Sequence, residues 1–289
     1  MAHSLLGCLL VVSRRLAGEQ QSISRDYYYL FFLLVSAPFL YCRNQPPTGD
    51  PQAVTYASRA IAALTGGTSI SDVTLTGRVT WNGSGADTGS ATLKAFGTDE
   101  SRVDLALSSG TRTEVRDAQM GAPRGQWKSE DKKTRTMPEF NCLTDAAWFF
   151  PALTSLGGRR DRLLKYLGQE TRNNATVEHL RSYVRDPKWP KAVAPTLERR
   201  RSMDFYLDAA TLLPVAVSFN VHPDNDGNAD LLTEVEFSDY QNLNGVLVPM
   251  RIRKYVQGSL LLDIAVSNVA LNTRLGLAEF AVNPERAGR

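Results

Sequence analysis

From Val73 onward the chain is dominated by short runs in which apolar and polar residues alternate, and this period of two restricts the folds open to it. Residues i and i+2 of a strand share a face, so a chain patterned this way buries one face of a sheet and leaves the other in water. Runs at 73–81, 90–96, 102–107 and 111–117 are punctuated by Asn82-Gly-Ser-Gly85 and Ser108-Ser-Gly110. Short strands joined by short turns predict an antiparallel meander. Runs at 163–170 and 176–184, on either side of Arg172-Asn-Asn174, continue it, as do runs at 213–221 and 231–237.

The C-terminal third is regular enough to predict a register. Asn244-Gly245 lies between two alternating runs and has the composition of a two-residue hairpin turn. Counting outward from it pairs Leu243 with Val246, Phe237 with Ile252 and Glu236 with Arg253. The next turn is Gln257-Gly258-Ser259. A three-residue loop there sets Ile252 opposite Ile264 and Arg253 opposite Asp263, whereas a two-residue loop sets Ile252 against Asp263. The first choice keeps Phe237, Ile252 and Ile264 in one apolar row and Glu236, Arg253 and Asp263 in one polar row, and a slip of one residue would invert both. The three-residue loop is therefore the expectation.

Two segments carry helical signals. Asp50 can cap a helix with Pro51 at its first position, and Gly66-Gly67 can end it, which predicts a helix over 51–65. After a polar, basic stretch from 124 to 135, Phe140, Leu143, Ala147 and Phe150 fall at helical spacing and predict a second helix over 138–150. Pro151 kinks or restarts it, and Gly157-Gly158 closes it.

Ahead of all this, Arg25 leads into the apolar run Tyr27 to Ala37, and polar, proline-bearing sequence follows from Arg43. The run has the length of a signal-peptide core, so residues 1–49 are expected to be leader and linker and 50–289 a single domain, periplasmic or otherwise exported. The alternative keeps residues 27–42 as a membrane anchor, although that stretch falls short of the ~20 apolar residues of a spanning helix and contains Pro38. Val35-Ser36-Ala37 offers a cleavage site. Tyr41 before Cys42 departs from a lipidation motif.

With 289 residues, 43% of them hydrophobic, the chain can bury a full core without covalent staples. A net charge of +3 is too small at this size to indicate a nucleic-acid partner. The three cysteines, Cys8, Cys42 and Cys142, form no CxxC pair and predict neither a disulfide framework nor structural zinc. No GxSxG, HExxH, GxxxxGK[ST] or GxGxxG motif is present, and the expectation is a protein that is not an enzyme. His179 beside Glu178 reads as a surface strand histidine, Glu234 and Glu236 as partners of Arg253 rather than a catalytic pair, and Cys142 as a small buried hydrophobe. The arginines at 159, 160 and 162 and at 199–201 read as solvated faces or as contacts for anionic headgroups or acidic partner surfaces.

Phe205-Tyr-Leu-Asp-Ala-Ala-Thr-Leu-Leu-Pro214, the hairpin Phe237-Ser-Asp-Tyr240 to Gly245-Val-Leu-Val-Pro249, and the ending Val269-Ala-Leu-Asn272 to Phe280 resemble the periplasmic lipoprotein-localisation factors and their outer-membrane receptors, the LolA/LolB-like superfamily. The match is carried by residues 200–280 and extends over 51–185 only as an order of elements. The insert at 186–201 and the acidic loop after His222 depart from the family pattern. The resemblance implies an α+β, β-dominated fold: a curved antiparallel sheet, an incomplete barrel, covered by a few helices, with acyl chains held in the cavity between. It implies a non-catalytic carrier or sensor, monomeric, whose partners are lipid, an acylated protein or other envelope proteins. The expected ligand-binding residues are Phe140, Leu143, Ala147, Trp148 and Phe150 on the second helix, with Phe237, Ile252 and Ile264 on the sheet. The alternative is a structural or interaction protein with a packed interior that binds through loops.

One loop has the spacing of a cation site. Asp224, Asp226, Asn228 and Asp230 place oxygens at alternate positions around Gly227, as calcium requires, although an Asp/Asn/Gly-rich hairpin connection has the same composition. No other cofactor is expected.

Overall fold

The computed structural model describes residues 48–282 apart from Ser84 and Arg160. The expected leader with its apolar run, His3, Cys8, Cys42 and the linker through Pro47 lie outside the described residues.

The chain opens with helix α1 (Pro51–Thr65). The Asp50 side chain accepts a hydrogen bond from the Ala53 amide at 2.7 Å, Pro51 fills the first turn, and Gly66 closes the helix in the left-handed conformation. Ala53, Ala57, Ala60 and Leu64 form its buried stripe, and the small alanines let the helix lie close over the sheet. Six strands follow: β1 (Asp72–Trp81), β2 (Asp87–Phe96), β3 (Glu100–Leu107), β4 (Gly110–Asp117), β5 (Arg124–Lys128) and β6 (Thr134–Met137). The last two occupy the polar stretch where the sequence signals no strands. Beyond a crossover at 138–162 come β7 (Leu163–Arg172), β8 (Ala175–Tyr183), helix α2 (Ala194–Arg200), β9 (Met203–Asp208), β10 (Pro214–Val221), β11 (Leu231–Leu243), β12 (Val246–Val256) and β13 (Ser259–Leu271).

All thirteen strands belong to one antiparallel sheet in the order β6-β5-β4-β3-β2-β1-β13-β12-β11-β10-β9-β8-β7. Two sequential meanders are thus joined where β1 pairs with β13, and the sheet does not close, because β6 and β7 stand at opposite edges. The fold is β-dominated with two α-helices among the described residues, in agreement with the sequence reading.

The predicted register is present. Glu236 pairs with Arg253, Phe237 with Ile252, Ile252 with Ile264, and Arg253 with Asp263. The loop that produces it differs from expectation. Val256 pairs with Ser259, so the turn is the two-residue Gln257-Gly258, both at positive φ. A bulge then accommodates Leu261 as an extra residue between the Tyr255–Leu260 and Lys254–Leu262 pairs, restoring the favourable register. On the polar row Arg253 contacts Glu236 at 3.1 Å, while Asp263 takes both arms of Arg251 at 2.9 and 2.5 Å.

The segment 138–150 is not the expected α-helix. A single 3-10 turn at Glu139–Cys142 gives way to irregular backbone, with further 3-10 turns at Pro151–Leu153 and Ser155–Gly157. Its carbonyls are taken by side chains from elsewhere. Arg116 donates to the carbonyls of Asn141 and, at 3.3 Å, Asp145; Arg162 donates to Leu143 at 2.7 Å; and the Ala146 amide reaches Thr98 at 2.8 Å. With these partners supplied, an internal helical ladder is unnecessary. The crossover must run from one sheet edge to the other, and on the way it buries Ala147, Trp148, Phe149 and Phe150 in the same core as α1 and the strands.

Candidate ligand cavity

The face of the sheet covered by α1 and the crossover is mostly solid. Leu75, Leu93, Phe205, Leu207, Val217, Ile252 and Ile264 are fully buried or nearly so, and pack with Phe149 and Phe150. Beside this core, between the two meanders, lies a cavity of about 310 Å³, at the lower end of the range that holds small molecules. Trp81, Trp127 and Trp148 wall it together with Val103, Leu105, Phe219 and Leu262. Five strand side chains bring charge to it: Arg112, Glu114 and Arg116 from β4, Lys128 from β5 and Lys254 from β12.

Strand parity explains these positions. Arg112, Glu114 and Arg116 alternate along β4, and Glu114 sits between Val103 of β3 and Trp127 of β5. Lys254 continues the buried parity of Val246, Val248 and Ile252, and its cross-strand neighbours are Val235 and Leu262, both buried. A lysine thus occupies a row that is otherwise apolar. Its Nζ lies 4.4 Å from the centre of the Trp148 ring, a cation–π contact, and it makes no side-chain hydrogen bond or ion pair among the described residues. Burial holds its amine below the usual lysine range; Glu114 pulls it back up and Arg116 pushes it further down. Arg112 is neutralised by Glu130 at 2.7 and 2.9 Å. Arg116 is buried, engaged with the crossover carbonyls and 3.9 Å from Glu114. The indole nitrogens of Trp81 and Trp148 are buried without a hydrogen-bond partner among the described residues.

Of the eight residues expected to bind ligand, Trp148 lines this cavity. Ala147, Phe150, Phe237, Ile252 and Ile264 are in the packed core. Phe140 lies apart from that core, edge-on to His222 with ring centres 5.4 Å apart and beneath the Arg200 guanidinium. Leu143 faces a polar recess by Arg162. The helical stripe therefore does not exist as a surface, since the backbone that would have aligned it is not helical. Residues missed by the sequence reading, Lys254 above all, carried a usable signal: the register that sets Ile252 inward also sets Lys254 inward.

The 224–230 loop is organised by arginines. Arg200 donates to the Gly227 carbonyl and, at 3.1 Å, to Asn228 Oδ1; Arg199 pairs with Asp230; and His222 Nδ1 lies 3.1 Å from the Ala229 carbonyl and 3.3 Å from Asp230. Asp224 turns instead to the cavity mouth. Among the described residues no three His, Cys, Asp or Glu side chains gather as a cation site, and the loop carrying Asp224, Asp226, Asn228 and Asp230 joins β10 to β11 and is cross-linked to α2. Burial raises the Cys142 thiol, which stays protonated. His179 sits 3.4 Å from both Glu170 and Asp204 and against Tyr206.

No protein-family model matches the chain, and no curated protein matches it in sequence. Solved structures do resemble it. A domain described as that of an outer membrane lipoprotein-sorting protein from Vibrio parahaemolyticus aligns over 78% of this chain and 94% of its own, at 15% identity and a TM-score of 0.48. A LolA superfamily protein from Nitrosomonas europaea covers 80% and 97%, at 11% identity and 0.49. A DUF1329 family protein from Desulfovibrio piger covers 81% and 98%, at 12% identity and 0.48. The chain is thus similar in structure to LolA superfamily, lipoprotein-sorting and DUF1329 domains. No helix among the described residues is long and apolar enough to cross a membrane.

Proposed function

We propose that the protein is a non-catalytic carrier or sensor of the cell envelope that shelters an acyl chain or similar hydrophobic group between its two meanders. The observation that carries this reading is the tryptophan-walled cavity on the covered face of the sheet, open beside an otherwise solid core. Each methylene moved from water into such a slot contributes roughly 0.8 kcal/mol, so an alkyl chain needs little polar recognition to bind. The envelope setting comes from the expected leader and from the resemblance carried by residues 200–280.

The second reading, an interaction protein with a packed interior, is favoured by the solid packing of Phe237, Ile252 and Ile264, which leaves room beside the core but none through it. One experiment separates the two. Purified protein is titrated with the uncharged dye N-phenyl-1-naphthylamine and its lipid content is read by native mass spectrometry, alongside a Leu105→Trp variant that fills the cavity. Dye uptake by the wild type, lost in the variant at near-unchanged melting temperature, is the expected result. A wild type that takes up neither dye nor lipid would leave the interaction protein as the reading.

A further inference from the structure

The cavity contains one feature that an alkyl slot does not need. Lys254 projects from an apolar row, between Val235 and Leu262, with its ammonium over the Trp148 face and, among the described residues, no carboxylate within ion-pair distance. A cation placed there is partly withdrawn from water and only partly compensated by the indole ring. Apolar residues fill the neighbouring positions of this row, and a methionine would fit its path with no such penalty.

The other charges facing the cavity do not neutralise it. From β4, Arg112 is paired with Glu130, and Glu114 lies by the Arg116 guanidinium. Lys128 of β5 adds a further cation at the rim. After β10 come His222, whose pKa is lowered chiefly by burial, and the exposed Asp224. Setting aside the Arg112–Glu130 pair, the charged groups lining the cavity are Arg116, Lys128 and Lys254 against Glu114 and Asp224, a surplus of one positive charge.

We propose that the ligand is an anionic amphiphile whose tail lies among the cavity tryptophans and whose carboxylate or phosphate oxygen pairs with Lys254. This inference rests on the cavity reading above and adds the head group to it. An incoming anion restores to the ammonium the partner it lacks, and the indole of Trp148 fixes the amine's position before the ligand arrives. Glu114 opposes the same anion, so the site favours a head group of low charge that can approach Lys254 from the side away from β4.

The test is displacement of N-phenyl-1-naphthylamine from the purified protein by dodecanoate, dodecyl phosphate and dodecan-1-ol, which share a tail and differ in head. An anionic head is expected to displace the dye at a concentration at least tenfold below that of the alcohol, and whichever anion is tighter names the head group. Lys254→Met should erase the preference while leaving the alcohol unchanged; Lys254→Arg should keep it; Glu114→Gln should strengthen it. Equal displacement by acid and alcohol in the wild type would overturn the head-group assignment and leave the cavity reading standing. So would a preference that survives Lys254→Met. Failure of the dye itself to bind would instead overturn the cavity reading, and this inference with it.

Discussion

Strands β11 to β13 and the crossover at 138–162 share one core but are held in place by different means. Each strand of the first region is ordered by the strand beside it, through tight turns at Asn244-Gly245 and Gln257-Gly258 and through side-chain rows that only one register satisfies. The crossover has almost no ladder of its own. It is fixed by Arg116 reaching in from β4 and by buried groups of its own: Arg162, and an Asp145 carboxylate that accepts the Ser155 amide at 2.8 Å and its hydroxyl at 2.7 Å while facing Arg162 at 3.6 Å. In the first region many weak local terms agree. In the second a few strong ones do the positioning, and each is costly to remove.

That contrast can be broken most directly at Asp145, which is fully buried. Asp145→Ala removes the carboxylate that faces the buried Arg162 and leaves the Ser155 amide without its acceptor, and is expected to lower unfolding free energy by about 3–5 kcal/mol in urea titration. A loss below about 1 kcal/mol would mean that the apolar residues alone hold the crossover. In the hairpin region the largest single backbone effect is expected at Gly245, whose φ of 91° suits glycine. Gly245→Ala should cost about 1 kcal/mol and shift the urea midpoint without changing the slope. A smaller effect still is expected for the Glu236–Arg253 pair. Its arginine is 39% exposed, and a double-mutant cycle should yield under about 1 kcal/mol, fading in high salt.

The smallest effect expected is a pH dependence at Lys254. Its folded pKa lies below the unfolded value, so between the two the unfolded chain binds more protons, and stability rises with pH across that window. Lys254→Met removes this contribution. Wild type should therefore gain on the variant as pH is raised from neutrality towards the ordinary lysine range, by thermal melts at each pH. A constant gap would show that the amine is solvated in the folded protein.

The same contrast explains what the sequence conveyed. Helix α1 and the rows through Ile252 and Arg253 were legible because caps, turns and alternation lie within a few residues of what they specify. The Gln257 turn was only half legible: the rows demanded the right pairing, but the bulge at Leu261 that delivers it leaves no mark in composition. In 138–150 the spacing of Phe140, Leu143, Ala147 and Phe150 does fit a helix, and what overrules it is Arg116 and Arg162, which no local pattern ties to these carbonyls. Strands β5 and β6 were hidden because an edge is mostly polar. Of the cavity lining, Trp148 was named from the sequence and Lys254 was passed over, although the register already established also sets Lys254 inward.

The seam between β1 and β13 has a consequence for how the protein is made. Residue 73 finds its partner at 271, so nearly the whole domain is synthesised before the middle of the sheet can be joined. Until β13 emerges from the ribosome, β1 and β12 each offer a row of unsatisfied amides and carbonyls at what will become the centre of the molecule. A chain that stalls after Val256 would leave two adhesive edges exposed, and its fate would be self-association rather than a smaller folded domain.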